Sequence, residues 1–135
     1  MNKCVAILSL FLIMSCRKTD DRKYYSDSLV GKWLINSVDY TYDGKDILNE
    51  DVYIICSFNK NGSYDYYYPD YDETIQKGTY KVLRDTLTLC YESSKADHDL
   101  KYIITKMNFN NMIIERKVLM DSKNCTETQT WHKLK

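Results

Sequence analysis

From residue 29 onward, apolar and polar positions alternate in short runs. Within 51–59, Val52, Ile54, Cys56 and Phe58 occupy every second position, so they share one face of an extended strand. The same period places Tyr64, Tyr66 and Tyr68 together in 63–68, Tyr80 with Val82 in 74–83, and Leu87, Leu89 and Tyr91 together in 86–91. Further runs rich in β-branched and aromatic residues occupy 33–42, 100–107, 112–119 and 126–133. Turn signals separate them: Asp43-Gly44, Asn61-Gly62, Pro69-Asp70, Arg84-Asp85 and the Asn-rich 108–111. No segment carries apolar residues at i, i+3, i+4 and i+7 through three turns, so a long amphipathic helix is excluded. Only 42–51 and 93–99 leave space for a short helical turn each. Eight strands at this spacing predict an all-β domain, an antiparallel eight-stranded sandwich or barrel.

Composition agrees with strands. Thirteen tyrosines, one proline and four glycines leave little material for linkers. Residues 29–135 form one domain's worth of chain with no low-complexity break, enough for a modest core.

The first fifteen residues follow a different rule. Lys3 gives a positive start, Val5 to Met14 is apolar apart from Ser9, and Ser15 precedes Cys16. An apolar run this short falls below the roughly 20 residues of a spanning helix and fits the apolar region of a signal peptide. The ending Ile13-Met14-Ser15-Cys16 resembles the lipobox of bacterial lipoproteins. That resemblance implies removal of residues 1–15, acylation of Cys16 with chains such as palmitate, and a lipid anchor in the outer membrane, periplasmic or surface-exposed. Residues 16–28 are charged and polar without apolar period, as expected of a flexible tether. Loss of Lys3 turns 19 basic against 19 acidic residues into 18 against 19. A near-neutral chain has no long-range field for gathering nucleic acid.

The domain opens Leu29-Val30-Gly31-Lys32-Trp33 and continues with Phe58-Asn59-Lys60-Asn61-Gly62-Ser63-Tyr64 and Gly78-Thr79-Tyr80-Lys81-Val82. Asp85-Thr86-Leu87-Thr88-Leu89 and a closing Thr130-Trp131-His132-Lys133 follow. In order and spacing these resemble bacterial lipocalin-like lipoprotein domains. The resemblance implies an up-and-down barrel with Trp33 at its closed end, and a ligand site lined by residues such as Trp33, Tyr66, Tyr80, Leu89 and Tyr102. Eight strands leave an interior that packs solid or holds one small ligand, so the fold by itself does not decide function.

Catalysis has little support. The two histidines, His98 and His132, belong to no nucleophile elbow or local triad signature, and four scattered glycines make no phosphate loop. No cofactor and no metal are expected. The run Tyr64-Asp65-Tyr66-Tyr67-Tyr68-Pro69-Asp70-Tyr71-Asp72-Glu73 lacks the sixth-position glycine of a hand-type calcium loop. It reads as a strand and hairpin tip, or as an aromatic surface for a sugar or peptide. Cys56, Cys90 and Cys125 allow one disulfide with one thiol left over, or three thiols packed as small hydrophobes. Two functions remain: a non-catalytic module for a small apolar molecule or glycan, or a packed scaffold that meets another envelope protein.

Overall fold

The computed structural model describes residues 25, 27–92 and 98–135. The expected leader and Cys16 lie outside them, as does nearly all of the expected tether. Eight strands follow in chain order: β1 (Gly31–Tyr42), β2 (Lys45–Phe58), β3 (Ser63–Tyr68), β4 (Glu73–Leu83), β5 (Thr86–Tyr91), β6 (His98–Met107), β7 (Asn111–Met120) and β8 (Lys123–Lys133). Each pairs antiparallel with the next, and β1 pairs with β8, so the sheet closes into a barrel and leaves no free edge.

The expected strand order holds throughout, and the start of β2 is where sequence and structure differ. Residues 42–51 hold no helical turn. Asp43 and Gly44 take positive φ values of 51° and 69°, a two-residue turn whose twist suits a hairpin. The chain therefore pairs again at once, Tyr42 with Lys45 and Tyr40 with Leu48. The segment 45–51 is exposed on both faces, so it has no apolar alternation to announce it. Of the second possible helical turn, 93–97 lies outside the described residues, and His98 and Asp99 already belong to β6.

The strand alternation sends one face of every strand inward. Trp33, Ile35, Cys56, Phe58, Tyr64, Tyr66, Leu87, Leu89, Tyr102, Ile104, Met112, Ile114 and Trp131 form one core. A bulge between Ile35 and Ser37 shifts the phase of β1, so that Val38 rather than Ser37 turns inward after Ile35.

One end of the barrel is closed. A short helical stretch through Asp27, Ser28 and Leu29 lies across it, with Leu29 fully buried. The Trp33 indole Nε1 donates to the Leu29 carbonyl at 2.8 Å. Lys133 Nζ donates to the Ser28 carbonyl at 2.7 Å and stands 5.2 Å from the centre of the Trp33 ring, a cation–π contact. Partial burial there lowers the Lys133 pKa. Gly31 makes this closure possible: at φ 129° it adopts a conformation that L side chains avoid, and a Cβ would stand 3.1 Å from Lys133 Cε. The β2–β3, β4–β5 and β6–β7 turns share this end, and the β1–β2, β3–β4 and β7–β8 turns share the other, called the open end because no helix among the described residues crosses it.

Gly78 has a different reason to be glycine. It lies between Tyr64 and Tyr91 across the sheet, where β4 and β5 run so close that a Cβ would stand 2.0 Å from the Cys90 carbonyl oxygen. Backbone cannot yield as a side chain can, so overpacking here separates the two strands. Gly78→Ala is expected to destabilise the domain by at least about 1–3 kcal/mol, measured as a lower urea midpoint. Gly44→Asn at the solvent-open turn is expected to cost much less, because asparagine tolerates positive φ.

Candidate ligand-binding site at the open end

The barrel interior divides into two zones. Toward the closed end it is solid and aromatic. Phe58 stacks on Trp131 with ring centres 5.9 Å apart, Tyr80 meets Phe58 edge-on at 4.8 Å, and Tyr66 meets Trp131 edge-on at 6.0 Å. Trp33, Leu87, Leu89, Met112 and Trp131 have no surface accessible to water. No void large enough for a water molecule touches these five side chains, and none of them faces a ligand cavity.

Toward the open end the interior becomes polar, through the inward face of β8. Its inward residues read Cys125, Glu127, Gln129 and Trp131, so two polar side chains continue the line of a core tryptophan. They are joined end to end. Trp131 Nε1 donates to Gln129 Oε1 at 2.9 Å, and Gln129 Nε2 donates to Glu127 Oε1 at 2.6 Å. Across the strand pair, Arg116 of β7 donates from Nη2 and Nε to Glu127 Oε2 at 2.7 and 3.1 Å. Its guanidinium also lies 5.1 Å from the centre of the Tyr102 ring. Tyr40 on β1 stands opposite Glu127 in the β1–β8 pairing, and Tyr102 lies close to Gln129. Both carboxylate oxygens of a nearly buried Glu127 are thus satisfied, as a buried charge requires.

The titration behaviour follows from this packing. Burial alone lowers the Arg116 pKa, but the hydrogen bond and charge of Glu127 hold it above its ordinary value. Burial and then the Glu127 charge raise Tyr40, and burial raises Tyr102. Burial also pushes Tyr64 up to about 12, partly opposed by the hydrogen bond that Gln76 Nε2 donates to its hydroxyl at 2.6 Å. The Tyr66 hydroxyl is buried without a hydrogen-bond partner among the described residues, and burial drives its pKa well up.

The five residues expected to line a ligand site separate between these zones. Trp33 and Leu89 lie in the solid part and act as packing. Tyr80 reaches the closed end, where its hydroxyl donates to the Asn59 carbonyl at 3.0 Å. Only Tyr66 and Tyr102 come together, at the boundary with the polar cluster. Sequence reasoning missed Tyr40, Arg116, Glu127 and Gln129. The available signal was parity: Glu127 and Gln129 share the face of Trp131.

The Tyr/Asp-rich run forms part of the rim. Tyr64 and Tyr66 point inward, while the Tyr67 hydroxyl donates to Asp72 Oδ1 at 2.5 Å and Tyr68 meets Tyr71 edge-on at 5.7 Å. Tyr71 is 76% exposed and Leu119, on β7 beside the β7–β8 turn, is 73% exposed. Among the described residues no three His, Cys, Asp or Glu side chains stand together as a metal-binding group. His132 points outward and is bonded through Nδ1 to Asn111 Oδ1. The side chain of His98 lies outside the described residues. Cys56, Cys90 and Cys125 are free thiols, the first and third buried and Cys90 half-buried.

The two ends carry opposite charge. Among the described residues, Asp43, Asp46, Asp70, Asp72, Glu73, Glu92, Asp99 and Asp121 crowd the open end, against Lys45, Lys123 and Lys77, the last paired with Glu92 at 3.7 Å. Among the described residues the closed end presents Lys32, Lys60, Arg84, Lys106 and Lys135, against Asp27, Asp65 and Asp85.

The profile of one protein family, described as a lipocalin-like domain, matches residues 29–114. That covers β1 to β6 and the first part of β7, and the match ends before β8, whose pairing with β1 closes the barrel. No curated protein matches the chain.

Removal of one partner from the Arg116–Glu127 pair leaves an uncompensated charge in the barrel. Arg116→Met is expected to cost about 3–5 kcal/mol, and adding Glu127→Gln to it is expected to restore part of that loss, both by chemical denaturation. Tyr64, Tyr66 and Tyr102 are neutral in the folded barrel and hold their protons above the ordinary value. Unfolded phenols release theirs near 10, so the stability these groups contribute is full below pH 10 and falls as pH rises toward 12 and beyond. Tyrosinate absorbance is expected to rise in two steps, the later one coinciding with loss of tryptophan emission.

Proposed function

With a chain that belongs to the lipocalin-like domain family as the premise, we propose that the mature protein is a lipid-anchored, non-catalytic binding module of the bacterial cell envelope, which takes a small apolar molecule or a glycan at the open end of its barrel. The observation that carries this reading is the joined polar cluster of Tyr40, Tyr102, Arg116, Glu127 and Gln129 held above a solid aromatic floor. Fixed polar groups beside half-buried apolar walls are what orient a ligand in such sites, and Val52, Ile54 and Leu100 supply walls here. The floor limits depth, so the ligand occupies the upper barrel and rim only. Tyrosine suits either ligand class, with a flat apolar ring and a hydroxyl. The ending Ile13-Met14-Ser15-Cys16 supports anchoring through Cys16.

A second reading is favoured by the rim. Tyr71 and Leu119 stand exposed among carboxylates, which suits a protein partner with a basic surface.

Native mass spectrometry of the protein released from its own envelope separates the two. A co-purifying small molecule is expected, reduced at least about tenfold by Val52→Trp, which fills the upper barrel, and retained by Tyr71→Ser. A protein partner lost in Tyr71→Ser and kept in Val52→Trp supports the second reading instead. Neither species in the wild type contradicts both.

A further inference from the structure

We infer that the closed end of the barrel is a docking face for the anionic phospholipid surface that carries the anchor, so that the open end points away from the membrane. This rests on the reading that Cys16 is lipidated. Eleven Cα–Cα steps join Cys16 to Asp27, where the helical stretch is entered, and at roughly 3.5 Å per step they span at most about 38 Å. That exceeds the height of the barrel, about 30 Å for a strand of twelve residues at roughly 3.3 Å each, tilted by about 40° as barrel strands are. The tether alone therefore lets the barrel present either end or a side to the bilayer, and the surface itself must choose.

Charge makes the choice. Lys60, Arg84, Lys106 and Lys135 project from the closed end beside Lys32 and outnumber its carboxylates, whereas among the described residues of the open end carboxylates outnumber cations. Basic residues near an anionic leaflet attract it within a Debye length of about 8–10 Å, and the carboxylate rim is repelled over the same distance. A tether of this length keeps the domain close enough for so short a force to act. The closed end also has apolar side chains to insert. Phe109 at the tip of the β6–β7 turn is 81% exposed, and Leu83 beside Arg84 is 58% exposed. An aromatic tip among cations is the combination found where protein surfaces rest at the level of lipid headgroups. Tyr71 and Leu119 are as exposed but lie among carboxylates, so exposure alone does not separate the ends.

The test uses the full lipidated chain in phosphatidylethanolamine vesicles, with and without phosphatidylglycerol, and brominated phospholipids as quenchers. Trp33 and Trp131 are fully buried and give a constant background. Phe109→Trp is expected to lose about half of its added emission in vesicles containing phosphatidylglycerol. That loss is expected to vanish when Lys60→Glu and Arg84→Glu are combined with it, and Tyr71→Trp is expected to show none. Quenching of Tyr71→Trp, or of neither reporter while the protein floats with the vesicles, overturns the docking face and leaves the anchor intact. A protein that does not float at all overturns the anchored reading, and the docking face falls with it.

Discussion

Closure of β1 onto β8 is the constraint on which the rest of this molecule depends. It abolishes the sheet edges, and it brings Trp33, Lys133 and the Ser28–Leu29 carbonyls to one point. The indole hydrogen bond and the ammonium over its face hold the N-terminal stretch across one end of the barrel. With that end closed and the floor beside it filled by Phe58, Trp131 and Trp33, the polar part of the interior is confined to the opposite end.

The polar cluster is the second consequence of closure. Arg116 on β7 and Glu127 on β8 meet because their strands are paired in this register, and Tyr40 joins them because β1 is the other neighbour of β8. A buried ion pair seldom adds net stability, since desolvation consumes most of the Coulomb gain. Here four side chains share the cost, leaving both oxygens of Glu127 bonded and the Arg116 guanidinium partly open to solvent. An arrangement that is fully satisfied and still partly accessible is better explained by a binding role than by stability alone.

The strand count, order and turns were legible in the sequence because they rest on period-two alternation and on Asp-Gly, Asn-Gly and Pro-Asp signals. The β1–β2 ribbon was not, since residues 45–51 are exposed on both faces and carry no alternation. Nor was the division of the interior. Trp33 and Leu89 read as lining because they face inward, but whether an inward side chain touches space or another side chain depends on packing across the barrel. Tyr40 was hidden by the bulge at Asn36, which shifts the phase of β1. Glu127 and Gln129 were overlooked as site residues because polar residues on a strand ordinarily face solvent. The opposed charges of the two ends depend on which turns share an end, so a chain with balanced overall charge conceals them.

The central claim is that a ligand enters only the upper barrel. Nuclear magnetic resonance of the isotope-labelled protein, titrated with small molecules extracted from its own envelope, addresses it most directly. With the ligand confined to the upper barrel, the Arg116 Nε–H signal shifts while the Trp33 indole and Leu89 methyl signals stay in place. A shift centred on the Trp33 indole and the Leu89 methyls would mean that the floor opens to admit the ligand, and would contradict that confinement.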